Sequence, residues 1–190
     1  MKRRQSLGLG TAALLAAQLA NRIPVAFARG EGGTFVFGTA GDPVKLDPAV
    51  VTDGQSFKTC DQVYDTLIAF DGSTTELKPA LARSWDVSAD GLTYTMKLRQ
   101  GVRFHDGTAF DAMAVKWNFD RWSDDKNPNH VGGDFEYYTD VAGWPDVIKS
   151  VDVVDDYTVK FSLKIPQGPF LLNMALPSFV IISPASFELD

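Results

Sequence analysis

The sequence predicts an α+β fold, and three observations carry the prediction. Two segments alternate apolar and polar residues around a turn-forming pair, and a stretch between them repeats its apolar residues at helical spacing. A strongly apolar run, "FLLNMALPSFVIISP", follows the second alternating segment. Two hairpins with a helix between them make the chain α+β.

The elements follow in chain order. Thr34-Phe35-Val36-Phe37-Gly38 reads as a first strand, broken by Gly41-Asp42-Pro43. Phe57, Cys60, Val63, Tyr64 and Leu67 fall at helical spacing, which predicts a helix over Ser56–Leu67. Ile68–Phe70 is a short strand stopped by Asp71-Gly72. Ser84–Ser88 and Leu92–Leu98 flank Asp90-Gly91, a pair suited to the positive φ angles of a tight hairpin turn. Leu92, Tyr94, Met96 and Leu98 form the buried face of that second strand, with Thr93, Thr95 and Lys97 on the wet face.

Within "RFHDGTAFDAMAVKW", Asp106-Gly107 makes a turn after a Val102–Phe104 strand. Asp111 sits where an N-cap belongs, although Ala114 denies it a capping-box partner. A helix over Ala112–Trp122 places Val115, Phe119 and Trp122 on one stripe. A polar loop over Asp124–Asp134 and the aromatics Phe135, Tyr137 and Tyr138 come next. A second hairpin turns at Asp155-Asp156, with Val151, Val153, Tyr157, Val159, Phe161 and Leu163 as its apolar positions. Phe179–Ile182 reads as a buried strand.

Residues 1–28 are set apart from this pattern as an export signal. Lys2, Arg3 and Arg4 form a positive start, Leu7–Ala20 is a weakly apolar run, and Ala26-Phe27-Ala28 places cleavage before Arg29. The run is shorter than the roughly 20 residues a bilayer span needs. Arg3-Arg4 with Leu7 resembles a twin-arginine signal, but Ser6 stands where that motif prefers an aromatic residue. The twin-arginine and general secretory routes both stay open. Gly8-Leu9-Gly10-Thr11-Ala12-Ala13 fits a loose dinucleotide fingerprint, but no strand precedes it, so it carries no such meaning.

Residues 1–28 hold four basic and no acidic residues, so their removal takes the formal charge from −6 to −10. A chain this acidic repels phosphate backbones and anionic membrane surfaces, so nucleic acid and membrane insertion of the mature chain are not expected. Cys60 is the only cysteine, which excludes an internal disulfide and lies too far downstream for a lipid-anchored cleavage site. A buried, inert thiol is expected there.

Catalytic patterns fail one by one. Gly54-Gln55-Ser56 begins like a nucleophile elbow, but Lys58 stands at the closing glycine. Neither His105 nor His130 is tied to a serine motif, no H-E-x-x-H occurs, and Lys126 and Pro128 occupy ligand positions of the acidic loop. His105 with Asp106 or Asp111 falls short of the three or four ligands a metal needs, so a structural role is expected. No enzyme activity, metal or cofactor is expected.

"LDPAVVTDGQSFKTCDQVYDTLIAFD", "LKPALARSWDVSADGLTYTMKLRQGVRFHDGTAFDAMAVKWNFDRW" and "VDVVDDYTVKFSL" resemble, in that order, the peptide/nickel class of solute-binding proteins of ABC importers. The resemblance runs from about Phe35 to Pro184. The ordered set Leu46-Asp47-Pro48, Leu81-Ala82 with Ser84-Trp85, Asp90-Gly91-Leu92 with Tyr94-Thr95, Leu98-Arg99 and Phe104-His105-Asp106-Gly107-Thr108 is highly specific. One departure is Ala112-Met113-Ala114-Val115, where the family usually carries acidic residues. Their loss weakens the helix start by up to about 1 kcal/mol. The other departure is length, because family members are far longer and have two lobes around a cleft.

The resemblance implies a periplasmic-binding-protein type II-like fold, of which residues 29–190 would supply the first strand of lobe I and most of the small extra subdomain. The second lobe and the hinge would be absent. It implies capture of a peptide or related solute in the periplasm for delivery to the permease subunits of an ABC importer. The alternative is a fragment or small interaction module that binds no solute alone. The loop after Leu46-Asp47-Pro48 lies at the cleft edge in relatives, making Asp53, Gly54 and Gln55 candidates for ligand contact. Phe135 and Tyr137 are candidates for a side-chain pocket. A solvent-exposed turn for the first three and core packing for the two aromatics stay open. Half of a discontinuous domain would also expose apolar surface around Phe170–Ile182 and favour aggregation.

Overall fold

The alternation in the two hairpins builds one sheet. A computed structural model describes residue 36 and residues 38–187. The expected export signal lies outside the described residues, as does most of the expected strand over Thr34–Gly38. From Thr39 onward the chain packs as one unit.

Strands β3 (Ala82–Val87), β4 (Thr93–Leu98), β5 (Ile148–Asp155) and β6 (Thr158–Leu163) form an antiparallel sheet in the order β3-β4-β6-β5. A separate two-stranded ribbon pairs β1 (Ile68–Phe70) with β2 (Leu77–Pro79). Register explains the buried face. Tyr94 pairs with Phe161, which pairs with Val151, while Met96 pairs with Val159, which pairs with Val153. These rows place apolar side chains side by side on one face, the arrangement that stabilises a sheet.

Helix α2 (Ala112–Ser123) connects the two hairpins and lies against β5 and β6. Asp111 caps it as expected, its carboxylate accepting a hydrogen bond from the Ala114 N–H at 2.8 Å. Phe119 meets Phe161 edge to face with ring centroids 4.9 Å apart, and Trp144 stacks at 5.7 Å on its other side. Trp144 opens the short helix α3 (Trp144–Val147) after Gly143, whose φ of 63° suits a residue without a side chain. Phe170, in helix α4 (Phe170–Asn173), closes the cluster against Tyr94 at 4.6 Å.

Five expectations are corrected. Helix α1 runs over Gly54–Cys60, because Asp53 caps it two residues earlier than expected and the chain turns at Asp61. Helical spacing beyond Cys60 reflected burial of Leu67 from a different backbone. The first hairpin turns through four residues, Ala89–Leu92. Ser88 donates to the Thr93 carbonyl at 2.9 Å, and Gly91 alone takes positive φ. Val102–Phe104 forms only a bridge between Arg103 and Ala109.

Phe179–Ile182 is buried but is no strand. A 3-10 turn covers Pro177–Phe179, Val180 bridges Thr66, and the Ile181 N–H donates to the Asp65 carbonyl at 3.0 Å. Asn118 of α2 then bonds both backbone groups of Ile182. Nor does Phe170–Ile182 present the expected apolar surface. Phe170, Met174 and Phe179–Ile182 are buried within this unit, and Leu172 is the segment's one large apolar side chain counted as exposed.

Candidate functional site

Two short segments carry the five expected contact residues. The first begins at Leu46-Asp47-Pro48. Proline fixes φ at the start of a 3-10 turn over Pro48–Val50, and the Asp47 carboxylate accepts the Ala49 N–H at 3.2 Å. Asp53 then caps α1, accepting from the Gln55 N–H at 3.0 Å and the Ser56 N–H at 2.9 Å. The Ser56 side chain, and after it the backbone N–H groups, hold the Asp53 carboxyl below its ordinary range. The Ser56 hydroxyl oxygen in turn accepts from the Val44 N–H at 2.9 Å. Gly54 is exposed and Gln55 half-buried. The Gln55 side-chain carbonyl oxygen is buried and has no hydrogen-bond partner among the described residues.

The second segment holds Phe135 and Tyr137. Phe135 is fully buried and takes a φ of 50°, left-handed backbone that costs a bulky residue about 1–2 kcal/mol. Its ring is held by the His130 ring at 4.2 Å and by the Arg121 guanidinium at 5.0 Å. Phe135 therefore belongs to the core of this unit. Tyr137 is half-buried and starts a π-helical turn over Tyr137–Val141. Phe57 of α1 meets Tyr137 edge to face, with ring centroids 5.4 Å apart and planes at 85°. The structure thus brings the Asp53–Gln55 segment and Tyr137 onto one edge and sends Phe135 beneath it.

Sequence reasoning missed what holds that edge. Arg121 is fully buried and forms an ion pair with Asp47. Its Nε donates to the Asn129 carbonyl at 2.8 Å, and its guanidinium lies over the rings of both Phe135 and Phe187. Gly133 presses on the same segment, because a Cβ there would fall 2.9 Å from Val50 Cβ. A signal for Arg121 was available. Asn118 and Arg121 sit among Val115, Phe119 and Trp122 on the buried side of α2, and polar residues on such a stripe require partners.

His105 and Asp106 stand elsewhere, both exposed, in a turn where Gly107 has a φ of 87°. The Ser183 and Thr108 hydroxyls beside Asp106, with the Thr108 N–H, keep its carboxyl below the usual range. A cavity of about 400 Å³ opens beside them, lined among others by Leu46, Tyr64, Phe104, Ile182 and Phe187. None of the five expected contact residues lines it. Cys60 is 1% exposed, and burial pushes its thiol pKa up, as an inert core thiol requires. Among the described residues no three His, Cys, Asp or Glu side chains gather to hold a metal ion. No helix of the described residues is long and apolar enough to cross a membrane.

Comparison with known proteins gives a consistent result. Residues 76–189 match the family described as bacterial extracellular solute-binding proteins, family 5 Middle. The chain is 38% identical over 159 residues to the dipeptide-binding protein of Escherichia coli, covering 79% of this chain and 30% of that protein. It is 40% identical over 185 residues to di/tripeptide-binding protein 4 of Pseudomonas aeruginosa, covering 94% of this chain and 32% of the relative. Among solved structures, an ABC transporter-associated periplasmic binding protein of Helicobacter pylori in complex with peptide STSA superposes with a TM-score of 0.71 at 38% identity. That match covers 77% of this chain and 30% of the other. The solved relatives have the type II periplasmic-binding-protein fold, and the chain spans about 30% of their length.

Proposed function

The chain belongs to the bacterial extracellular solute-binding proteins of family 5, and on that premise we propose that it supplies part of the substrate-binding component of an ABC importer. The proposed solute is a peptide or a related small molecule captured in the periplasm, and the proposed partners are the importer's permease subunits. The family is one of solute-binding transport components and not of enzymes. The observation that carries the reading is the superposition on a relative that holds a peptide.

Asp53, Gly54, Gln55 and Tyr137 are the proposed ligand edge, with Phe135 supporting it from below. An extended peptide offers backbone N–H groups, and the Gln55 carbonyl oxygen, without a partner among the described residues, is an acceptor for one of them once the half-buried side chain turns outward. A buried acceptor without a partner carries a desolvation cost of about 1–3 kcal/mol, which a ligand N–H offsets. The half-buried Tyr137 ring gives an adjacent side chain a flat apolar surface. Residues 1–28 are the proposed export signal, by the twin-arginine or the general secretory route, without a lipid anchor. Residues 29–190 are the proposed first strand of lobe I with most of the small extra subdomain.

A second reading rests on one observation, the roughly 30% share of its relatives' length that the chain spans. In that reading the 190-residue chain binds no solute alone. Calorimetric titration of the chain with a panel of di- and tripeptides separates the two. Saturable micromolar binding supports capture by this chain, and no heat across the panel establishes the second reading.

A further inference from the structure

Arg121 touches neither Gln55 nor Tyr137, yet both proposed contact segments hang from it. On one side its Nη2 pairs with Asp47, whose other carboxylate oxygen caps the turn over Pro48–Val50 that leads into Asp53 and α1. On the other side its guanidinium lies 5.0 Å from the centre of the Phe135 ring. The Phe135 carbonyl accepts from the Tyr138 and Thr139 N–H groups at 2.9 and 3.1 Å, which starts the turn that presents Tyr137. A third contact, Nε to the Asn129 carbonyl at 2.8 Å, fixes the loop between. The two segments are also laced to each other, by Lys45 donating to the Gly132 carbonyl and by Gly133 packed on Val50.

This arrangement suits arginine specifically. A flat guanidinium presents donors in a fixed fork while its faces stack on aromatic rings, which a lysine ammonium cannot do. Breaking a buried pair at one partner leaves the other charge uncompensated, so the pair holds its segments in one geometry even where it adds little net stability. Asp47 is 24% exposed at its side chain and Arg121 is 0%, so the arginine is the member that cannot turn to solvent.

We propose that Arg121 is the positioning residue of the ligand edge, setting the spacing between the Asp53–Gln55 segment and Tyr137 without contacting the solute. This inference rests on the proposed edge for its functional meaning but not for its structural test. The test is residue-resolved hydrogen exchange on the full chain and on Arg121→Lys and Asp47→Asn. The reporters are four amides that Arg121 does not touch, those of Gln55 and Ser56 on one side and Tyr138 and Thr139 on the other.

Asp47→Asn is expected to speed exchange about tenfold at Gln55 and Ser56, with amides of β4 and β6 unchanged. Arg121→Lys, which keeps a positive charge for Asp47 but loses the stacking and the fork, is expected to speed Tyr138 and Thr139 more than Gln55 and Ser56. Equal acceleration in β4 and β6 would show a general stability residue and overturn the proposal, as would unchanged exchange at all four amides. A parallel titration with di- and tripeptides tells the two readings apart. If the unaltered chain binds and Arg121→Lys weakens binding about tenfold, both stand. If the unaltered chain binds nothing, the solute reading fails for this chain, and the exchange pattern alone decides whether Arg121 positions the edge.

Discussion

The side chain of Asn118 pairs with the backbone of Ile182 on both sides, its Nδ2 donating to the Ile182 carbonyl at 2.9 Å and its Oδ1 accepting the Ile182 N–H at 3.2 Å. An amide side chain on a helix thereby does for one residue what a neighbouring strand does for a whole segment. A third bond, from Nδ2 to the Ala114 carbonyl at 2.9 Å, fixes the amide's orientation. Replacing Asn118 with Leu strands two buried backbone groups and is expected to cost about 2–4 kcal/mol in urea-induced unfolding. A loss below about 1 kcal/mol would mean that water replaces the amide.

Asp111→Ala removes the cap of α2 and is expected to lower stability by about 1 kcal/mol. With Ala112, Met113 and Ala114 in the first turn, no acidic side chain stands by to replace it. Peptide binding, measured on the same sample, is expected to stay unchanged.

Gln55→Leu separates binding from folding. Because the Gln55 carbonyl oxygen is buried and unpartnered, an apolar side chain of similar size is expected to leave stability equal or higher. Peptide affinity is expected to fall about tenfold, the worth of one lost hydrogen bond. A variant that binds as well as the original would remove Gln55 from the proposed edge.

Acid weakens the turn that carries Asp106. Its carboxyl lies below its ordinary range in the folded chain, through the Ser183 hydroxyl first and Thr108 next. The stability it contributes is therefore complete above the unfolded value of about 3.9 and is lost as pH falls through the lower folded value. Asp53, Asp90 and Asp155 are shifted the same way, each by a neighbouring hydroxyl and nearby N–H groups. Unfolding midpoints are expected to hold steady at neutral pH and drop below about pH 4, with a shallower drop in Asp106→Asn.

Cys60 offers a direct measure of cooperativity. A thiol 1% exposed and raised in pKa by burial reacts with a disulfide reagent only after unfolding. Labelling is expected to follow the global unfolding transition, in contrast with the aggregation-prone behaviour that the apolar Phe170–Ile182 run suggested. Rapid labelling in native buffer would count against a packed unit.

The hairpins, α2 and its cap were legible because each rests on a local rule. Alternation marks a half-buried strand, and Asp111 before an apolar stripe marks a helix start. The end of α1 was not legible, since Val63, Tyr64 and Leu67 keep the helical spacing after the chain has left the helix at Cys60. Phe179–Ile182 misled for a related reason. Apolarity reports burial, but the backbone bonds there are completed by a bridge to Thr66, by the Asp65 carbonyl and by one asparagine 64 positions before Ile182. The residues of the proposed edge were named from a family resemblance, whereas Arg121, which holds that edge, was illegible because its partners Asp47, Asn129 and Phe187 are far apart in sequence.

The cavity beside His105 is lined by Leu46 on one side and by Ile182 and Phe187 on the other, and Arg121 joins Asp47 to Phe187. Stretches about 140 positions apart in sequence are therefore neighbours, pinned by one helix, and the contact between them must offset the loop entropy of closing the chain in between.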